Sequence, residues 1–282
     1  MKSNTLIKFL LLTFFLISQI VVAQVKIGGK VGYSIGRITD NSDNIYTEGY
    51  ESSSGVDIGV FVEYPVSELF SLQMEVLYTQ RGGERIGQQP IPTSALDAFG
   101  SIDQLNYVLS LQGKGPVTDE NPMDADFKNV SELNYVEIPF LGKLGWGKTW
   151  RWYVEAGPYI GFLVNSTQKT SGTSLISLDA DGFDPLTVYN PNHNPQDPST
   201  GPLWVPVPPQ SFDEETDTKN ELNTYNFGFH AGTGIIRKLG DKHEVYAGFR
   251  GSWGAKTLQK DKVFGESHVG GLVFSLGYAY TL

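Results

Sequence analysis

Glu137 and Glu155 are the first residues in this chain that could do chemistry. Two carboxylates held a few ångströms apart can serve as general acid and base in glycoside hydrolysis. His230 could act as a proton carrier. Asp179-Ala180-Asp181-Gly182 resembles the opening of a calcium loop, but the later ligands and the closing glutamate are absent at the required spacing. No serine lies in a G-x-S-x-G turn, and His193 lies among prolines. With no cysteines there is no disulfide scaffold, no thiolate metal site and no lipobox-type lipid anchor. A formal net charge of −10 argues against a nucleic-acid ligand, which calls for a basic patch. No cofactor, metal or catalytic centre is expected.

What must position these residues is a set of strands. Over residues 25–36 the odd positions read Val25, Ile27, Gly29, Val31, Tyr33, Ile35, and the even ones Lys26, Gly28, Lys30, Gly32, Ser34, Gly36. One apolar face against one polar or small face is the period of a β-strand. The same alternation runs through 55–64, 70–79, 133–144, 152–164, 226–235, 245–253 and 272–282, giving eight strands. Their apolar faces carry no charge, while the opposite faces carry Lys26, Lys30, Lys143 and Arg250 with Asp57, Glu63, Glu75, Glu137 and Glu155.

Alternation alone fits two architectures: a soluble sandwich with an apolar core, or a membrane barrel whose apolar face meets lipid. The connections separate them. Short links at 65–69, 145–149 and 237–243 alternate with longer ones at 37–54, 82–132, 165–221 and 254–265. Regular alternation of tight and long connections is the mark of an up-and-down outer-membrane barrel with short periplasmic turns and long extracellular loops. Aromatic residues expected near strand ends on the apolar face (Tyr33, Phe70, Tyr78, Trp152, Phe227, Trp253, Tyr280) read as interfacial girdles. The predicted fold is therefore all-β: an eight-stranded antiparallel transmembrane barrel.

The only long apolar run is N-terminal. Lys2 and Lys8 precede apolar residues 9–17, and Ile20, Val21 and Val22 lead to Ala23. This describes a secretory signal peptide over residues 1–23, cut before Gln24, with the barrel over 24–282. The expected location is the outer membrane.

The segment Leu133-Asn-Tyr-Val-Glu-Ile-Pro-Phe-Leu-Gly-Lys143 resembles a strand of the PorT-like outer-membrane β-barrel family. Tyr153-Val-Glu-Ala-Gly-Pro-Tyr159, residues 70–83 and residues 269–282 resemble further strands of it. Leu282 stands where such barrels commonly end on an aromatic. The resemblance implies an eight-stranded barrel and no agreed activity, with a minority of members linked to protein secretion.

An eight-stranded barrel has room inside for little more than side chains. The nine charged residues named above are expected to pair into a plug, with Tyr135, Tyr153, Tyr159 and Tyr246 filling space. Glu137 and Glu155 then lack substrate access, and His230 reads as a satisfied interior residue. In loop 82–132, Leu96, Phe99, Ile102, Leu105 and Leu109 recur at helical spacing and point to a short helix over the barrel mouth. Loop 165–221 holds eight of the 15 prolines between Pro185 and Pro209, which favours extended polyproline segments. The apolar group around Trp204 and the residue Phe99 are candidate partner contacts. The acidic run Asp213, Glu214, Glu215, Asp217 reads as a solvated face. The expected partners are membrane lipid and, through the loops, another envelope protein or a surface ligand; a monomer is expected. The expected function is structural, loop-mediated binding or secretion-accessory. A narrow solute or ion pore is the alternative, and a membrane-embedded enzyme comes third.

Overall fold

The computed structural model describes residues 25–282 apart from 41–43 and 100. The expected signal peptide lies outside the described residues, as does the side chain of Phe99.

Eight long antiparallel strands close into a ring: β1 (Lys26–Asp40), β2 (Glu51–Pro65), β3 (Phe70–Ile91), β4 (Met123–Gly147), β5 (Trp150–Ser171), β6 (Tyr225–Lys238), β7 (His243–Thr257) and β8 (Ser267–Thr281). Each pairs with its sequence neighbour, and β8 pairs with β1 to shut the barrel. This is the predicted up-and-down architecture. Closure leaves no strand edge in the hydrocarbon, where an unpaired backbone group has no partner.

The stagger of the ring follows from the paired residues. Ile27 lies opposite Val62, Val62 opposite Met74, and Met74 opposite Phe140. The β4–β5 register carries the path to Pro158, and it continues through Phe229, Trp253 and Gly270 to Arg37, ten residues beyond its start. Ten residues over eight strands corresponds to a tilt of about 40°. A narrow, strongly tilted barrel follows, with its interior filled by side chains.

Burial follows the alternation. In β3, Ser71, Gln73, Glu75, Leu77 and Thr79 are buried, while Leu72, Met74, Val76 and Tyr78 are exposed on the outside. Among the described residues no helix is long and apolar enough to cross a membrane, and strands do the crossing.

The structure corrects the strand lengths. β3, β4 and β5 have 22, 25 and 22 residues, against 14 or 15 in the other five. Much of what reads as loop in 82–132 and 165–221 is therefore sheet, projecting beyond the rest of the ring. The alternation breaks at Gly82 and Gly83, which hides the continuation. Gly82 has φ +154°, and a Cβ there would lie 1.9 Å from the Ser131 carbonyl oxygen of β4, so the strands approach as they do only through glycine. Because the strands are longer, Tyr33 lies in the middle of β1 rather than at an interface. Trp146, Trp150 and Trp152 do cluster at the short-turn end, exposed on the outer wall.

Candidate functional site

The interior is the first candidate. The nine charged residues read from the alternation have their side chains inside the ring, and all but Asp57 meet in three layers stacked along the axis. Nearest the short turns, Lys26 reaches Glu244 at 2.6 Å and Glu63 at 3.7 Å. Lys143 donates to Glu63 at 2.9 Å and to Gln73 at 3.0 Å, and its ammonium sits over the rings of Tyr153 and Tyr246 at 4.5 and 4.4 Å. In the middle, Glu75 accepts from Lys30 at 2.6 Å and from both terminal nitrogens of Arg250 at 2.7 and 2.8 Å. Arg250 also donates to Glu155, at 2.8 Å through Nε and 2.5 Å through Nη2. In the upper layer Arg81 grips Glu137 with two parallel bonds of 3.2 Å. His230 stacks on Tyr159 with centroids 4.4 Å apart. Its Nε2 lies 3.2 Å from Glu137 Oε2, in ion-pair range but off the hydrogen-bond direction.

Five of these eight ion pairs join alternate strands, such as β1 to β3, β2 to β4 and β5 to β7, as side chains do in layered barrel interiors. Breaking a buried ion pair strands the remaining charge, so each layer depends on both partners. Apolar groups flank the stack. Phe61, Tyr153, Ile236, Tyr246 and Ala279 pack around the lower layer. Above the upper layer Ile38, Leu133, Tyr135, Leu163, Leu258 and Val269 form a roof. Between Lys30, Asp57, Arg81, His230 and Arg250 remains a pocket of about 10 Å³. That is room for about one water molecule, and the unbonded Oδ1 of Asp57 and Nη1 of Arg81 are groups a water would satisfy.

Arg81 and Glu244 are part of the network although no strand predicted from the sequence reaches them. Both were within reach of the alternation, Arg81 two residues past Thr79 and Glu244 just before Val245. Glu137 and Glu155 do not face each other: Arg81 holds one and Arg250 the other in separate layers.

The second candidate is a cap outside the membrane. The helix α1 (Ile102–Leu111) follows a 3-10 turn over Thr93–Phe99, and Ser101 caps it by accepting from the Gln104 N–H at 3.3 Å. Leu96 and Leu109 are buried and meet Met123, Phe127, Ile176, Leu186 and Val207 in one core. Both long loops and the projecting tops of β3 and β4 thus share one interior. Part of the proline-rich stretch folds back on itself. Thr187–Tyr189 pairs with Trp204–Pro206 as a short antiparallel hairpin, and Asn190 braces the connection by donating to the Thr200 and Pro202 carbonyls at 3.0 Å. The acidic segment Glu214–Asp217 pairs with the top of β5, its four side chains exposed.

Trp204 is half-buried, edge-on to Tyr189 at 6.2 Å. Gln112, at the end of α1, donates to the Thr187 carbonyl at 3.3 Å and accepts from the Thr187 hydroxyl at 2.7 Å, which docks the helix against the hairpin. The joined elements expose Tyr107 (65%), Leu111, Val188 and Tyr189 (57%). Asp179 spends a carboxylate oxygen on the Asp184 N–H at 3.0 Å, and Lys114 holds Asp184 at 2.6 Å. Among the described residues no three metal-ligating side chains come together. Near the base of the cap the Tyr46 phenol is pushed up to about 12 by burial and by the Asp119 and Asp124 carboxylates.

The chain was compared with known proteins. No functionally curated protein matches it. Among solved structures, it is similar to Neisserial surface protein A at 11% identity, covering 92% of this chain and 97% of that one, with a TM-score of 0.38. It is similar to Ail, the attachment invasion locus protein of Yersinia pestis, at 13% identity, covering 91% and 99%, with a TM-score of 0.33. It is also similar to the outer membrane protein OprG from Pseudomonas aeruginosa at 9% identity, covering 92% and 95%, with a TM-score of 0.37. The model of an outer membrane protein beta-barrel domain matches residues 18–254. With that match over most of its length, the chain belongs to the outer-membrane β-barrel domain family and is an integral protein of the outer membrane.

Proposed function

We propose that this protein works by presenting its cap to another molecule at the cell surface, on a barrel whose lumen is closed. The observation that carries the reading is the shared apolar core of the two long loops. Loops that merely connected strands would not need a buried interior of their own, and long ordered loops are usually functional. On that core stands an exposed apolar ridge formed by Tyr107, Leu111, Val188 and Tyr189. Exposed aromatic residues on a rigid support are the usual anchors of an interface.

Residues 1–23 serve in this reading as a cleaved export leader, the barrel acts as a monomer, and no reaction is assigned to it. The resemblance of residues 133–143 to the PorT-like family favours a secretion-accessory partner over a soluble ligand. The test is affinity capture from the native envelope with wild type and with a Tyr107→Ser, Tyr189→Ser double variant. The wild type should retain a specific partner that the variant loses, with heat-modifiable gel migration unchanged in both. Identical capture by both would contradict the reading.

A further inference from the structure

We propose that the outer wall of the barrel holds a specific site for one anionic glycerophospholipid, with an acyl chain lying over Gly29 and the phosphate at Lys242. The register places Val245, Tyr278, Gly29, Val60 and Val76 in one row across five neighbouring strands, all on the lipid-facing side. In the next row toward the short turns stand His243, Tyr280, Ile27, Val62 and Met74. Gly29 is the one position in these two rows without a side chain. The gap opens a groove of about 510 Å³ walled by Ile27, Val60, Val62, Met74, Tyr278 and Tyr280. That volume is within the range of small-ligand sites, and the walls are predominantly apolar. Because this face lies in hydrocarbon, an empty groove would forfeit dispersion contacts on every wall, and an acyl chain is the occupant the solvent supplies.

One end of the groove is polar. Lys242 lies beside Tyr280, its ammonium 3.4 Å from the phenol oxygen and 5.4 Å from the ring centre. His243 Nδ1 is 2.6 Å from the Tyr278 hydroxyl. These residues sit at the short-turn end, the periplasmic side of such barrels, where phospholipid head groups lie. A lysine with two phenols at the interface suits a phosphate held as a point charge with the glycerol region against the rings. Asp241 shares the turn with Lys242, and Arg237 and Lys238 end the strand that enters it.

Gly29 permits a clean test. A Cβ there would meet only the Gly59 carbonyl oxygen, at 3.6 Å, an ordinary contact, so a side chain can fill the groove without disturbing the wall. The experiment is native mass spectrometry of the full chain in mild detergent. Phosphatidylglycerol and phosphatidylethanolamine are added in turn, with inorganic phosphate as a competitor. Wild type should keep one phosphatidylglycerol through delipidation that strips the rest. Gly29→Leu should weaken that retention at least tenfold, with Gly29→Ala intermediate and heat-modifiable migration unchanged in both. Lys242→Ala should abolish the preference for phosphatidylglycerol over phosphatidylethanolamine. Equal retention by wild type and Gly29→Leu would overturn the proposal. So would displacement by inorganic phosphate alone, which would mean a surface anion contact without a bound chain.

Discussion

Arg250 and Glu75 stand on diametrically opposite strands of the ring, β7 and β3, and are joined by two hydrogen bonds of 2.7 and 2.8 Å. The guanidinium therefore bridges the lumen at mid-height. Lys30 and Glu155 join the same pair at that level.

Arg250→Met should destabilise the barrel severely. It leaves Glu75 and Glu155 without their shared partner in a buried interior, and loss of one member of a buried pair costs about 3–5 kcal/mol. The unfolding midpoint in urea, followed by the heat-modifiable gel shift, should fall markedly. The triple variant Arg250→Met, Glu75→Gln, Glu155→Gln should recover much of the loss, because no uncompensated charge remains. A single variant as stable as wild type would show that the bridge is not formed.

Leu109→Ala should loosen the cap and spare the barrel. Leu109 is fully buried, and such truncations cost about 2–5 kcal/mol. Limited proteolysis should cut within residues 92–122 and 172–224 far faster than in wild type, while the eight strands stay protected. Cleavage unchanged from wild type would mean the loops do not share one core.

Asp124, at the base of the cap, is held above the usual carboxylate range, first by burial, with Arg85 opposing and Asp179 adding to it. A raised value means the folded cap binds this proton more tightly than the unfolded one. Its contribution is then most favourable below the ordinary carboxylate range and is lost as pH rises through the folded value. Asp124→Asn should slow hydrogen exchange in the cap at pH 7 and leave it nearly unchanged at pH 3. Equal effects at the two pH values would contradict this.

Gly157→Leu should block closure between β4 and β5. A Cβ at Gly157 would lie 1.9 Å from the Phe140 carbonyl oxygen, and backbone offers no room to give. The variant should fail to show the compact band on an unheated gel. Normal migration would show that the two strands do not approach as described.

Much of this was legible in the residues themselves. Alternation along 70–79 put Glu75 inside and Met74 outside, because a strand's period of two needs no tertiary information. The spacing of Leu96, Ile102, Leu105 and Leu109 announced the helix in the loop. Which charge meets which was not legible. Arg250 and Glu75 are 175 residues apart, and only the stagger of the closed ring brings them level. Arg81 and Glu244 are not marked in the sequence, because Gly82 ends the apolar alternation of β3 and the apolar alternation of β7 begins only at Val245. The cap residues Met123, Phe127 and Ile176 were hidden for a related reason. They lie in sheet beyond the membrane, where one face packs on loop side chains and the apolar–polar alternation no longer marks lipid against lumen.

The central claim is that three layers of paired charge, floored and roofed by apolar side chains, close the barrel. Single-channel recording of the refolded full chain in a planar lipid bilayer tests it most directly. The closed lumen predicts a flat baseline with no stable conductance steps at moderate voltage, in wild type and in Leu109→Ala alike. Large, long-lived steps of uniform size in wild type would show an open path past Arg250 and Glu75 and would contradict it.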